Sequence, residues 1–543
     1  MLTKILAVYI CLMSIISCMA QDRSKHILSR DEVTWTDEKT ITQYTGPVYV
    51  GQFIIPEELG IETIGEMCFY GEKTLNASSV YIPSTVREIQ DMAFCDFISD
   101  TLIIAEGTIS IGEMAFNQTL YRRKTPNTVT HISLPSTLKY IGAGAFGCTI
   151  KTDTLVIPPN VEIIDKDAFE ECKIRILILN EGLKRIGINA FVNNLIEEVS
   201  FPSTITYLSG FMCNSLRKVS IPSSVKTIGF MAFMSNPIET IEIAEGVEKI
   251  DPCAFDNETG FIPDYWRSRF TEIVIPNSVK EIGKRAFNKC DKLQKVTLSS
   301  NLKSIGDSAF RKTGISEVII PNSVETIGSV AFFECKNLKK IQLSQNLTQL
   351  GRQAFCRCDI REIDIPSSLS QIPFEAFRDN QNTDKITLHN GLEYIGERAF
   401  SYCYGITLTE LPQTLRHVAP SAFYSTTFAC RTLPLPKLPQ SLEWKSYEDT
   451  ESNIVANAYY LGYDYNYGQN VVNQYGYKAY PTGLPDLPEE KLTTKIIGQH
   501  ATENIEIWTI DGQKIYSGNT LPTDLKHGLY IVKRNNKTQL IRE

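Results

Sequence analysis

From Phe53 onward the apolar and polar positions of this chain recur in one short pattern. Ile273–Phe287, IVIPNSVKEIGKRAF, reappears as Val318–Phe332 (VIIPNSVETIGSVAF) and as Ile363–Phe377 (IDIPSSLSQIPFEAF). The alternation in Glu272-Ile273-Val274-Ile275 predicts a strand with Ile273 and Ile275 on one side. The Pro that follows ends the strand where the backbone must turn, and Val279, Ile282 and Phe287 supply further apolar teeth for an interior. The steadiest marker is the Phe, usually after Ala. It stands at Phe69, Phe94, Phe116, Phe146, Phe169, Phe191, Phe211, Phe233, Phe255, Phe287, Phe310, Phe332, Phe355, Phe377, Phe400 and Phe423, which makes sixteen coils. From Phe287 onward the steps are 22 or 23 residues, too short for a helical hairpin but sufficient for one strand and a tight return arc.

A coil of that size cannot bury its own core, so each must be stabilised by its neighbours. Sixteen stacked strands at ~4.8 Å give a sheet roughly 75 Å long. Gly follows the Ile in most coils (Gly65, Gly142, Gly229, Gly283, Gly328), yet Pro373 holds the equivalent place. Since Pro fixes φ near −65°, the glycines are expected to serve close packing and not a left-handed backbone. Coils with Pro after the strand (Pro276, Pro321, Pro366, Pro412) alternate with coils read as lacking it at Ser300, Gln345 and Asn390. Just before the first inward position, Glu272, Lys295, Glu317, Lys340, Glu362 and Lys385 alternate in charge. Across parallel strands they form a ladder that fixes register at a few tenths of a kcal/mol per pair or, alternatively, a charged binding stripe.

The middle strand position faces away from the core. In the early coils it is apolar, with Ile54, Tyr81, Ile103, Val156 and Ile178, whereas later coils carry mostly polar residues. Such a stripe marks an interaction face unless the N-terminal segment covers it. Two coils carry insertions that must bulge as loops. Asn117–Thr130 includes Tyr121-Arg122-Arg123-Lys124, and Asp256–Phe270 includes Tyr265, Trp266, Arg267 and Arg269. The aromatic and Arg content of the second loop matches interface hot spots, and a loop folded back on the coil edge is the plainer alternative.

The remaining composition narrows the functional classes. A net charge of −8 disfavours nucleic acid and anionic lipid as partners. The six His residues show no metal-ligand spacing, and no nucleophile elbow or phosphate loop is present, so neither catalysis nor a metal or other cofactor is expected. Five cysteines (Cys172, Cys290, Cys335, Cys358, Cys403) share the place three after the Phe. They read as small buried thiols, with a Cys335–Cys358 bridge between adjacent coils as the alternative. At the N-terminus, Lys4 precedes an apolar run from Ile5 to Ile16 that is too short to stay in a bilayer. Cleavage after Ala20 and lipidation at Cys18 are both open, and no other stretch is apolar enough to span a membrane.

The run I-x-I-P-x-S-V-x-x-I-G-x-x-A-F-x-x-C, as Ile273–Cys290 and with Val318 first as Val318–Cys335, resembles the BspA-like leucine-rich repeats of bacterial surface proteins. The resemblance covers about residues 47–426. It implies a right-handed α/β-type leucine-rich-repeat solenoid, mostly β and irregular arcs, of about 16 coils with a parallel sheet on one face. It also implies adhesion to host extracellular proteins or co-aggregation, with no catalytic residue to carry over. Glu503–Glu543, with Ile505-Glu506-Ile507-Trp508, Asp511-Gly512 and His527-Gly528-Leu529-Tyr530, resembles the C-terminal β-sandwich sorting domain of type IX secretion, though it is shorter. Its alternating segments and Asp511-Gly512 turn read independently as a hairpin.

The expected organisation is therefore a signal peptide at 1–20, an N-terminal cap at 21–50 and the solenoid at 51–426. A Pro- and Tyr-rich cap or linker at 427–490 and a small β C-terminal domain at 491–543 complete the chain. The expected role is a secreted or outer-membrane surface scaffold of a Gram-negative bacterium that binds a protein ligand, such as host matrix or a bacterial surface protein. A glycan ligand and a purely structural envelope role are the alternatives.

Overall fold

The computed structural model describes residues 25–48, 51–71, 75–118, 129–258, 267–406, 411–419, 422–424 and 426, and the backbone of four strands between 505 and 542. The coils and those four strands belong to separate compact units. The coils form a parallel β-solenoid of about sixteen turns. Among the described residues its only helical pieces are the 3₁₀ turns Arg30–Glu32 and Glu57–Leu59.

The coil carrying Phe287 shows how the repeat makes this shape. Strand Glu272–Val274 leads into a turn in which Val279 N–H donates to the Pro276 carbonyl at 3.0 Å. Strand Glu281–Ile282 follows, then Gly283 and a turn ribbon that runs to Cys290. Ile273, Ile275, Val279, Ile282 and Phe287 are all buried, as the apolar spacing requires. The two-residue strands are a departure from the single expected sheet. Thirteen of them continue from Val33–Trp35 and Thr40–Tyr44 as a 15-stranded ladder that ends at Gln349–Leu350, because the mostly polar-apolar dipeptide at this place is extended in coil after coil. The first face is interrupted, with separate five- and six-stranded sheets beginning at Lys25–Ile27 and Glu272–Val274.

The turn ribbon is the third side of each coil. Arg285 and Lys289 have φ of 58° and 57°, and equivalent left-handed residues recur at Met67, Met92, Met114, Val330 and Glu334. Every second N–H there leaves the coil: Arg285, Phe287 and Lys289 donate to the carbonyls of Asp307, Ala309 and Arg311 at 2.8, 2.8 and 2.7 Å. The intervening N–H groups close local turns, as Ala286 does onto Gly283 and Asn288 onto Arg285. A left-handed L-residue costs roughly 1–2 kcal/mol. The hydrogen bonds between coils hold it there, which is why Met and Val occupy places that a local reading would give to Gly or Asn.

Gly283 and Gly328 are not left-handed, in keeping with Pro373 at the same place. A Cβ on Gly283 would stand 2.6 Å from the Pro252 nitrogen and 2.7 Å from the Asp251 carbonyl carbon, both backbone atoms of the preceding coil. The glycines let adjacent coils approach. The Pro alternation needs one correction: the places matching Pro276 are Ser299, Ser344 and His389, whose carbonyls accept the same turn bond from Leu302, Leu347 and Leu392. Where Pro is missing, the Ser hydroxyl bonds the preceding coil instead, Ser299 to Val279 O and Ser344 to Val324 O at 2.7 Å each.

Along the axis the sixteen phenylalanines stack in one unbroken column. Successive ring centroids lie between 4.8 Å (Phe69 to Phe94) and 5.9 Å (Phe211 to Phe233) apart. Interplanar angles stay small, at 3° for Phe116 on Phe146 and 9° for Phe287 on Phe310. Such pairs contribute about 0.5–1.5 kcal/mol beyond their buried area.

Beside the column, a Cys or Asn three after the Phe serves the buried carbonyl of the preceding Phe. Cys290 and Cys403 thiols donate to Phe255 O and Phe377 O at 3.3 and 3.2 Å. The Asn236 and Asn380 amides do the same to Phe211 O and Phe355 O at 2.7 and 2.8 Å. All eleven described cysteines are free, including Cys335 and Cys358. The thiols act as donors, so bridging is not their role in this fold.

The four C-terminal strands Ile505–Thr509, Lys514–Gly518, Leu529–Arg534 and Lys537–Arg542 form an antiparallel sheet, with the first paired to both the second and the third. The first two strands pair antiparallel, as the hairpin reading expects, while Asp511 and Gly512 lie outside the described residues.

Candidate binding surface

The outer face of the first five-stranded sheet gathers the predicted apolar stripe. Register places Ile54 beside Tyr81, Tyr81 beside Ile103 and Ile103 beside Ser133. Val156 and Ile178 form a second adjacent pair in a two-stranded sheet. Each of these residues is half-buried by its neighbours in the column. Burial, assisted by the nearby Glu57 carboxylate, raises the Tyr81 phenol above its ordinary range, so it stays neutral at physiological pH.

The described residues of the N-terminal segment do not lie over this column but lengthen it. Lys25–Ile27 joins as a parallel strand with Ile27 opposite Ile54. Its side chain is 60% exposed. His26 points the other way, stacks on Phe53 at 5.5 Å and meets Glu32 at 3.1 Å, closing the end of the core. The rest of the segment starts the short-strand ladder through the antiparallel pair Val33–Trp35 and Thr40–Tyr44. Ile27 escaped sequence reasoning because its segment carries no repeat. The only signal was the alternation around His26, too short to distinguish from chance.

Farther along, Val274 and Ile319 are exposed on the same face, but their register neighbours are Thr297 and Gln342, so no apolar column forms there. The charge ladder from Glu272 to Lys385 is in register throughout. Lys295 and Glu272 are 4.0 Å apart and largely exposed, and such pairs contribute little.

Of the second loop, Tyr265 and Trp266 lie outside the described residues, as do Tyr121–Lys124 and Cys18. Arg267 is half-buried and Arg269 is exposed. The described ends of the loop are firmly tied. Asp256, with its side chain wholly buried, takes Arg285 Nε at 2.7 Å and Asn288 Nδ2 at 2.8 Å. Glu258 meets Arg285, Lys289 and Arg311 at 2.9, 2.8 and 3.1 Å. Burial opposes its charge, yet hydrogen bonds from Lys289, Asn288 and Arg311 outweigh that and hold its carboxyl down at about 2. On the return side, Ser268 N–H donates to Asn257 Oδ1 at 3.2 Å and Phe270 is buried.

Among the described residues no group of His, Cys, Asp or Glu is arranged to hold a metal ion. No helix among them is long and apolar enough to cross a membrane.

Residues 47–172, 139–261, 265–384, 303–433 and 373–453 match the family described as BspA type leucine rich repeat region. No curated protein matches the chain. A leucine-rich repeat protein from Bacteroides ovatus is similar in structure, with 22% identity, 76% of this chain and 98% of that chain covered, and a TM-score of 0.50. A leucine rich cell surface protein from Faecalibacterium prausnitzii shows 21% identity over 70% of this chain and 96% of its own, with a TM-score of 0.35. The pneumococcal vaccine antigen PcpA shows 20% identity over 77% and 97%, with a TM-score of 0.36.

Proposed function

The chain belongs to the BspA-type leucine-rich repeat family, and from that premise we infer that it is a non-catalytic protein-binding scaffold, secreted or held at the cell surface. The supporting observation is the in-register apolar column Ile27–Ile54–Tyr81–Ile103 on the outer face of the first sheet. A row of apolar side chains on a rigid parallel sheet excludes water over several coils without any rearrangement, which limits the entropic cost of docking. The ligand is a protein surface with an apolar centre, on a host matrix protein or another bacterium. The loop with Tyr265, Trp266, Arg267 and Arg269 supplies a second contact, displayed from the base fixed by Asp256 and Glu258.

Export rests on the apolar run Ile5–Ile16, and the C-terminal strands are read as a sorting segment for a Gram-negative outer surface. Fractionation of cells that express the chain with and without residues 491–543 tests that route. Surface exposure unchanged by the deletion would refute it. For binding, the mature chain carrying a photocrosslinking residue at position 54 is expected to capture host or bacterial surface proteins that the same residue at position 163, on the short-strand ladder, does not. Equal capture at both positions would count against the assigned face.

A further inference from the structure

The turn ribbon of the last coils carries residues that the repeat does not require. Tyr402 follows Phe400 by two places, Tyr404 by four, and Tyr424 directly follows Phe423. The Tyr404 and Tyr424 rings stand nearly perpendicular to Tyr402, at 83° and 84°, with centroids 6.4 and 5.6 Å away. Tyr404 and Tyr424 are 46% and 48% exposed. The Arg378 guanidinium lies 5.7 Å from the centre of the Tyr402 ring. Tyr402, Tyr424, Ser401, Arg378 and Arg398 together line a depression of about 320 Å³.

Its polar groups are balanced in charge and only partly committed. Glu375, nearly buried, neutralises Arg378 at 2.7 Å. Arg398 stands 3.7 Å from Glu375 and 3.6 Å from Glu397, beyond hydrogen-bond distance, so neither contact takes up its N–H groups. Asp379, 3.5 Å from Arg378, also lines an adjoining depression of about 410 Å³ with Lys336, Arg357, Asp359, Gln381 and Asn382. There too the two cations face two carboxylates.

The geometry points to this pair of depressions as a binding site for a neutral oligosaccharide of pyranose units. The C–H faces of a sugar ring are apolar and pack flat on tyrosine rings, whose hydroxyl tips remain wet. Neighbouring hydroxyls suit the planar fork of Arg and the paired donors and acceptors of Asn, Gln and Asp. A sulfated or uronic chain would call for a surplus of cations, and the charge balance offers none. A peptide anchor would call for an enclosed apolar pocket, whereas Tyr404 and Tyr424 are each about half exposed. Each depression sits at the low end of the roughly 300–1,000 Å³ of small-ligand sites, which suits one or two rings apiece.

The site lies on a different face from the strand column and stands independently of the protein-binding reading. The full chain is titrated by calorimetry with neutral hexasaccharides of glucose, mannose, galactose, xylose and N-acetylglucosamine, beside a sulfated and a polyuronic hexasaccharide. At least one neutral hexasaccharide is expected to bind. Tyr424→Ala and Arg398→Gln are each expected to weaken it tenfold or more with the unfolding midpoint unchanged, whereas Ile54→Glu leaves it unaffected. Absence of neutral binding, binding of the charged chains alone, or an affinity that neither substitution moves would overturn the proposal.

Discussion

Cys172 donates its thiol hydrogen to the carbonyl oxygen of Phe146 on the preceding coil, at 3.0 Å. Both groups are buried, and the same bond recurs wherever Cys, or Asn in its place, stands three after the column Phe. Replacing Cys172 with Ala leaves that carbonyl only the Thr149 N–H at 3.1 Å and is expected to cost about 0.5–1.5 kcal/mol in urea unfolding for the lost bond, whereas Cys172→Ser, which keeps a donor, loses clearly less. Equal losses for both variants would show that packing volume matters and the bond does not.

Thiol chemistry gives a second check. Burial pushes Cys172 and Cys403 up to about 12 and Cys290 well above its ordinary range. Iodoacetamide at pH 8 is expected to leave these three unmodified in the folded chain and to alkylate them in denaturant without prior reduction. A requirement for reductant would reveal disulfides that the fold does not contain.

Gly283 is where two coils touch through their backbones. Gly283→Ala places a Cβ 2.6 Å from the Pro252 nitrogen and is expected to destabilise by about 1–3 kcal/mol through overpacking. Gly60 makes the contrast. It is left-handed at φ +65° with nothing within 4 Å, so Gly60→Ala costs only the backbone strain, about 1 kcal/mol. Hydrogen exchange resolved to the coils on either side of residue 283 would locate the first effect. A uniform change along the chain would contradict it.

Glu258 links the second loop to pH. Its folded carboxyl lies at about 2, below the ordinary 4.5, so its ion pairs stabilise fully above pH 4.5 and are lost as the pH falls toward 2. Asp256 shifts the other way because burial raises it, and its protonation opposes part of that loss. Glu258→Gln is therefore expected to lower stability at pH 6 and to flatten its decline between pH 4.5 and 2. A slope identical to that of the unaltered chain would remove Glu258 from the account.

The apolar teeth of the repeat were legible in the sequence because Ile273, Ile275, Val279, Ile282 and Phe287 recur at fixed spacing and all face inward. The packing role of Gly283 was legible through Pro373. The left-handed ribbon was not, since Met67, Val330 and Arg285 carry no local preference for it. Their conformation is imposed by N–H groups reaching the next coil. The second ladder was hidden for a related reason: a two-residue strand is too short to show a period. Of the candidate surface, Ile54, Tyr81 and Ile103 could be found from the strand alternation. Ile27 could not, because only the pairing of Lys25–Ile27 with Gln52–Ile54 brings it there. The Tyr402 corner likewise depends on three coil positions meeting in space.

The central claim is that the column Ile27–Ile54–Tyr81–Ile103 is the docking face. Its most direct test is the affinity of the mature chain for a protein captured through position 54, measured for the unaltered chain, Ile54→Glu and Ile163→Glu. The account predicts that Ile54→Glu weakens binding at least a hundredfold with an unchanged unfolding midpoint, while Ile163→Glu leaves binding intact. Undiminished binding by Ile54→Glu, or equal losses from both, would contradict it.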